Sequence, residues 1–296
     1  MGKDLAEAYP AARSVFGEID AAIGSELSKL AFEGPAEELT ITSNAQPALF
    51  AHGAAAWAVA KEALSPHVRA AAGHSLGEFT AYYAADSLGL TGAAKLVRRR
   101  GELMLAAGQT RPGTMAAIVG RTTTPVTELC ERASREAGLV VPANFNSDDQ
   151  VVVSGEIAGV ERVMELAKAA GAKRAIRLAV SGAFHSPLME PAAVGLTDAC
   201  ATSAFTDPVF PVYSNVTAAP CTEANAAKDL LVRQLMSPVR WATLVRNIAE
   251  RFPDATYVEM GPGQVLRGLV SRLVPGAPAF SCGTAAEVET IMKMVA

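Results

Sequence analysis

Apolar residues recur at helical spacing over residues 3–31 and again over 44–64, both rich in alanine, leucine and glutamate, so the chain is expected to open with helices. The short apolar segment "VRAAAGHS", residues 68–75, ends at a turn, and "LGEFTAYYAADSLGL" behind it regains helical spacing up to about Gly89. The order there is strand, turn, helix. From about residue 113 the texture changes: "GTMAAIVG" reads as a strand, "PVTELCERASREAG" as a helix, "LVVPANFNS" and "QVVVSG" as strands around a polar "SDD" turn, "AGVERVMELAKAAGA" as a helix and "KRAIRLAVS" as a strand. The order βαββαβ is the split βαβ, ferredoxin-like arrangement, and it predicts an inserted subdomain over 113–181 within a larger domain made of 1–112 and 182–296. Beyond it come a helix around 188–203, a strand in "FPVYSNVT", a helix over 225–250, a strand in "TYVEMGP", a helix over 263–273 and a strand in "PAFSCG". Strands alternating with helices predict an α/β fold on a mostly parallel, doubly wound sheet.

Composition narrows the function classes. At 296 residues the chain suits one large domain or a domain with an insertion. Half of the residues are hydrophobic, 19% are charged and the net charge is -4, a balance that points away from disorder and from general nucleic-acid binding. Cys130, Cys200, Cys221 and Cys282 are far apart, with no C-x-x-C and no cysteine-histidine cluster, so reduced thiols and no metal site are expected. The opening "MGKDLAEAYPAARSVF" lacks the apolar core of a signal peptide, and no apolar run reaches the length of a membrane helix. The expectation is a cytoplasmic protein without a membrane partner.

Candidate chemistry begins at "GHSLG", where Ser75 stands in a G-x-S-x-G pattern between a predicted strand and a predicted helix. Such a turn lifts a serine hydroxyl above a sheet and aims helix N–H groups at a developing oxyanion. The pattern alone also fits a serine in an ordinary tight turn. A serine nucleophile needs a base, and His185 in "SGAFHSPLM" is the one histidine that follows Ser75; it reads equally as a base or as a residue of a shaped loop. His74 adjoins Ser75 in an awkward direction, and His52 lies in an apolar helix as a packed core residue would. In "GAAKLVRRRGELMLAAG" the positions Ala93, Leu96, Val97, Leu103, Met104 and Ala107 form one helical face with Arg100 in its middle. An inward guanidinium needs an anion, which is either an internal Asp or Glu or the carboxylate of a substrate. "EMGPGQVL" fits a tight βα connection, and Gln234 in "VRQLMSPVRW" is ordinary by composition.

With "GHSLGE", "RRRGELM", "PANFNS", "SGAFHSPLM", "LVRQLMSPVRW" and "EMGPGQVL" in this order, the chain resembles the malonyl-CoA:acyl carrier protein transacylases of the fatty-acid and polyketide acyltransferase family. The resemblance implies an α/β-hydrolase-like domain with a ferredoxin-like insertion, no bound cofactor, and a monomer whose partners are malonyl-CoA and an acidic, phosphopantetheinylated acyl carrier protein. It implies that Ser75 takes the malonyl group, that His185 is the base of a Ser-His dyad, and that the Gln234 backbone carbonyl accepts from that histidine. Arg100 resembles the arginine that pairs with the malonyl carboxylate, and the Leu76 N–H becomes an oxyanion donor. The leucine of "GHSLG" and the "AFH" before "SPLM" resemble the malonyl rather than the methylmalonyl version.

One departure stands at the front: members of that family open with a hydrophobic strand and a "GQGSQ"-like loop carrying a second oxyanion donor, and this sequence has neither. A late start codon, a truncation or a degenerate paralogue that only binds CoA or carrier protein would each account for it. The competing enzyme reading is a serine hydrolase or thioesterase, which has no use for an inward arginine. Because such carrier proteins are acidic, Lys173 and Arg177, four apart on one face of the predicted strand, are docking candidates, with a solvated strand face as the plainer reading.

Overall fold

In the computed structural model, which describes residues 1–295, five helices come first: α1 (Lys3–Ala8), α2 (Pro10–Ile23), α3 (Leu27–Glu33), α4 (Ala36–Leu39) and α5 (Thr42–Leu64). The helical stretch expected over 3–31 is thus divided. Pro10 starts α2 where its missing N–H costs nothing, and Gly24 closes α2 in the left-handed conformation at φ +64°. Helix α5 is buried over most of its length and is central, with Ala48, Ala51, Ala54, Ala55, Ala56 and Ala60 at most 1% exposed. Pro47 removes the helical bond to the Ser43 carbonyl, and Arg98 donates to that carbonyl instead at 2.9 Å.

The strand expected in "VRAAAGHS" is reduced to β1 (Ala71–Ala72), followed by α6 (Gly77–Ala84) and α7 (Leu90–Thr110). β1 stops because Gly73 folds back on the start of α6: a Cβ on Gly73 would lie 1.9 Å from the Gly77 carbonyl carbon. Gly77 itself has open space around a hypothetical Cβ, so only the first glycine of the pattern answers to crowding. α7 lies along α5, and the two backbones approach at Gly101, where a Cβ would stand 2.8 Å from the Ser43 Cα.

Next come β2 (Thr114–Val119), α8 (Val126–Glu136), β3 (Val140–Ser147), β4 (Gln150–Gly155), α9 (Ile157–Ala169) and β5 (Arg174–Arg177). They form one antiparallel sheet in the order β3-β4-β2-β5, the order of a ferredoxin-like βαββαβ unit. Ala116, Ile118, Leu129, Val153, Val160 and Val163 make the core under its two helices. The Phe145 N–H and the Ala143 carbonyl of β3 bond Val239 beyond the sheet, at 2.9 and 2.8 Å.

The remainder holds α10 (Glu190–Ala201), β6 (Val212–Tyr213), β7 (Pro220–Cys221), α11 (Ala224–Arg233), α12 (Trp241–Arg251), β8 (Tyr257–Met260), α13 (Val265–Leu273), β9 (Ala279–Cys282) and α14 (Ala285–Val295). The helix expected over 225–250 is broken by a 3₁₀ turn at Gln234–Met236 ahead of Pro238. β1 and β6 pair in parallel, as do β8 and β9, while β7 runs antiparallel to β6. The main sheet therefore lies in two small pieces, and "FPVYSNVT" keeps only two strand residues. After Tyr213 its backbone turns back on itself, Ser214 N–H to Ala219 O and Ala218 N–H to Ser214 O, while the Asn215 N–H goes to a glutamate side chain.

Gly73→Ala is expected to cost more than about 4 kcal/mol, because the clash is with backbone that has nowhere to go, whereas Gly77→Ala stays within about 1 kcal/mol. Denaturant melts of the two variants beside the parent chain check both, and equal losses would show that crowding at Gly73 is not the constraint.

Candidate active site

Ser75 sits at the tip of the turn between β1 and α6 with φ +52°, in the left-handed region that a residue with a Cβ adopts at a cost of about 1 kcal/mol. Asn215, fully buried after β6, holds the turn from both sides. Its Oδ1 accepts from the Ser75 N–H at 2.7 Å, and its Nδ2 donates to the Gly73 carbonyl at 2.7 Å. The Leu76 N–H has no acceptor among the described residues, so it is available to an oxyanion forming beside Ser75.

His185 comes from the loop after β5 and is also left-handed, at φ +57°. Its Nε2 lies 2.8 Å from Ser75 Oγ and its Nδ1 2.8 Å from the Gln234 carbonyl oxygen. A carbonyl can only accept, so Nδ1 carries the proton and Nε2 presents its lone pair to the Ser75 hydroxyl. The group behind the imidazole is main chain rather than a carboxylate. Burial, reinforced by the positive charge of Arg100, pushes His185 down to about 3, so the ring is neutral and ready to accept a proton at ordinary pH. His74 instead meets Asn146 Oδ1 at 2.9 Å, and His52 meets the Gly283 carbonyl at 2.6 Å, whereas His185 reaches Ser75.

Arg100 is 1% exposed. Its Nη2 donates to Ser75 Oγ at 3.1 Å and to Gln234 Oε1 at 2.9 Å, its Nη1 donates to Gln46 Oε1, and its guanidinium stands over the Phe79 ring. Burial brings Arg100 down to about 10, which still leaves it charged at neutral pH. No carboxylate among the described residues lies within ion-pair distance of it, so the internal ion pair weighed from the sequence is absent. Ser75 Oγ thus gives its hydrogen to His185 and accepts one from Arg100, a geometry in which a neutral imidazole can take the hydroxyl proton with a cation one hydrogen bond away.

The structure also brings in residues that the sequence left unmarked. Gln46 reaches Arg100 from α5 because Gly101 lets the helices close, and its Nε2 is held by Thr42 Oγ1 at 2.8 Å. Glu78, fully buried, accepts on Oε2 from Gln234 Nε2 at 2.6 Å and from the Asn215 N–H at 3.2 Å. Gln234 contributes through its side chain as well as its backbone, donating to the Ser75 carbonyl at 2.9 Å. The proposed docking pair fares differently. Lys173 lies before β5 rather than on it, and Arg177 is turned toward α9, where it pairs with Glu161 at 3.3 Å and donates to Thr114 Oγ1. The two do not form one free basic face. Cavities of about 420 and 350 Å³, one beside Arg121 and one beside His52, contain none of Ser75, Arg100 and His185.

The sequence profile of the acyl transferase domain matches residues 1–278. The malonyl CoA-acyl carrier protein transacylase of Bacillus subtilis is 45% identical over 275 residues, covering 92% of this chain and 86% of that protein. Among solved structures, an acyl-carrier-protein-S-malonyltransferase from Bartonella henselae superposes with a TM-score of 0.94 at 42% identity, over 100% of this chain and 94% of its own. A malonyl-transacylase in complex with a type II PKS acyl-carrier protein superposes at 0.93 with 39% identity, over 99% and 94%.

In nitrogen-15 NMR the His185 ring is expected to stay neutral, with Nδ1 protonated, from pH 8 down to pH 5. A midpoint near the usual 6.5 would show a solvated imidazole and contradict the geometry.

Proposed function

This chain belongs to the acyl transferase domain family, and on that footing we propose that it moves a malonyl group from malonyl-CoA to the phosphopantetheine thiol of an acyl carrier protein by way of a malonyl ester on Ser75. The observation that carries the reading is Arg100: a buried cation 3.1 Å from Ser75 Oγ with no carboxylate partner among the described residues, placed where an acyl group on Ser75 would bring one. A bidentate guanidinium-carboxylate pair suits a malonyl group and offers nothing to an acetyl group.

The steps follow from the hydrogen positions. His185 Nε2 takes the Ser75 proton as Oγ attacks the thioester carbonyl, and the Leu76 N–H stabilises the oxyanion. The tetrahedral intermediate collapses, the C–S bond breaks, and CoA leaves with the proton from Nε2. The carrier's thiol then loses its proton to the same nitrogen and attacks the ester, and Ser75 recovers its hydrogen. The Gln234 carbonyl holds the imidazole through both halves and favours its protonated form without a carboxylate.

In the same reading residues 1–112 and 182–296 form the catalytic domain and 113–181 the inserted subdomain, and Lys173 remains a contact candidate for an acidic carrier protein. No helix among the described residues is long and apolar enough to cross a membrane. With a CoA thioester as donor and four free cysteines, the proposal places the enzyme in the cytoplasm.

Intact mass after brief incubation with malonyl-CoA should show one malonyl adduct on the parent chain and none on Ser75→Ala; an adduct that survives the substitution would displace Ser75 as the nucleophile. Arg100→Ala is expected to lower kcat/KM for malonyl-CoA by about 10²-fold while sparing acetyl transfer. An equal loss for both acyl groups would remove the carboxylate role.

A further inference from the structure

Among the described residues Glu78 is the only buried carboxylate and Arg100 the only buried lysine or arginine. They do not touch. The Gln234 amide lies between them, accepting from Arg100 at 2.9 Å and donating to Glu78 at 2.6 Å, so the two charges fix which end of the amide faces which. Reversing that amide would set its NH₂ against a guanidinium and its oxygen against a carboxylate. Because the same residue's backbone carbonyl supports His185, Glu78 governs the wall on which the base rests.

The charge balance of this cluster depends on what is bound. Above neutral pH and without an acyl group, one buried cation faces one buried anion. A malonyl carboxylate on Arg100 adds a second anion to a region where an unbalanced charge is costly. The structure holds a place for the compensating proton: Glu78 Oε1 is buried without a hydrogen-bond partner, while Oε2 carries both accepted bonds.

We propose that Glu78 is the positioning and charge-balancing residue of the acyl pocket, above neutral pH an anion in the free enzyme that takes up one proton from solvent on Oε1 when a carboxylate-bearing acyl group seats against Arg100. The inference rests on the reading of Arg100 given under the proposed function.

The surroundings agree with it. Burial raises Glu78 to about 7, against the pull of hydrogen bonds from Gln234, Asn215 and the Ser214 hydroxyl and the positive charge of Arg100. A substrate carboxylate that takes up the field of Arg100 removes part of that pull and sends Glu78 higher. The other titratable groups near the cluster do not compete for the proton. Tyr82, one turn along α6, stays a neutral phenol through burial and the proximity of Glu78, and Cys221 of β7 lies buried beside it. His185, which shares the Ser75 hydroxyl with Arg100, is held far below Glu78. Ser214, Asn215, Gln46 and Gln234 carry no charge.

Proton uptake on binding means that affinity for the carboxylate-bearing donor weakens as pH rises past the free-enzyme titration of Glu78. The KM for malonyl-CoA is expected to rise about tenfold for each pH unit above about 7, with a smaller change in kcat, while the KM for acetyl-CoA, which shares every ionisation of the CoA moiety, stays level. In Glu78→Gln the amide oxygen still accepts from Gln234 and Asn215, and the malonyl-CoA KM should lose its pH dependence. A level parent profile, or the same slope in parent and variant, overturns the proposal. Should Glu78→Gln fail to fold, calorimetry of malonyl-CoA binding to Ser75→Ala at pH 8, in two buffers of different ionisation heat, reads the proton directly: close to one is expected for malonyl-CoA and none for acetyl-CoA, and no uptake overturns it. Failure of the underlying reading has a separate signature, an Arg100→Ala variant that keeps its preference for malonyl-CoA over acetyl-CoA.

Discussion

A single buried positive charge organises this molecule. Arg100 cannot leave its position, because α7 carries it on the same stripe as Ala93, Leu96, Val97 and Met104, and it stays charged even in the core. Its remaining hydrogen bonds had to be built around it from other parts of the chain: Gln46 from α5, Gln234 from the turn after α11, and Ser75 from the turn after β1. The cost of desolvating a guanidinium thereby became the means of gathering a serine hydroxyl, two side-chain amides and a cation without an ion-pair partner among the described residues at one point.

Backbone strain supplies the second constraint. Ser75 and His185 both hold left-handed conformations, which residues with a Cβ adopt only when their surroundings impose them. Asn215 imposes the first by bonding both arms of the turn, and the Gln234 carbonyl and Ser75 hydroxyl fix the ring of the second. The arrangement is preorganised: no side chain has to move for Nε2 to meet Oγ. The whole antiparallel unit from β2 to β5 lies in sequence between the two residues, yet its β3 is bonded to Val239, three residues past the turn that bears Gln234.

Much of the fold was legible because its signals are local. In the ferredoxin-like unit the strand patterns are bounded by Gly, Pro and Asp-rich turns, and its elements appear in the expected order, with the last strand, expected over 173–181, shortened to Arg174–Arg177. Legibility failed where tertiary bonds replaced strand ladders, as in "FPVYSNVT", whose backbone groups turn toward Glu78 and toward one another, and at Gly73, whose contact with Gly77 cuts β1 short. Around the site, Ser75, His185 and Arg100 stood out through glycine and proline punctuation and through a charge on an apolar stripe. Glu78, Gln46 and Asn215 did not, since a polar residue at a buried position looks the same in sequence as one at the surface. Arg177 shows the converse: it reads as a free basic group and is in fact paired with Glu161.

The sequence by itself determined the element types, the βαββαβ order and the short list of residues able to do chemistry, because helical and strand periods and turn residues act over a few positions. The tertiary structure alone decided that His185 meets Ser75 across 110 residues, that Asn215 holds the turn across 140, and that Gln234 bridges Arg100 and Glu78 across 134 and 156. Those pairings depend on which helices can approach and which buried polar atoms are left to satisfy, and both are settled only when the core closes.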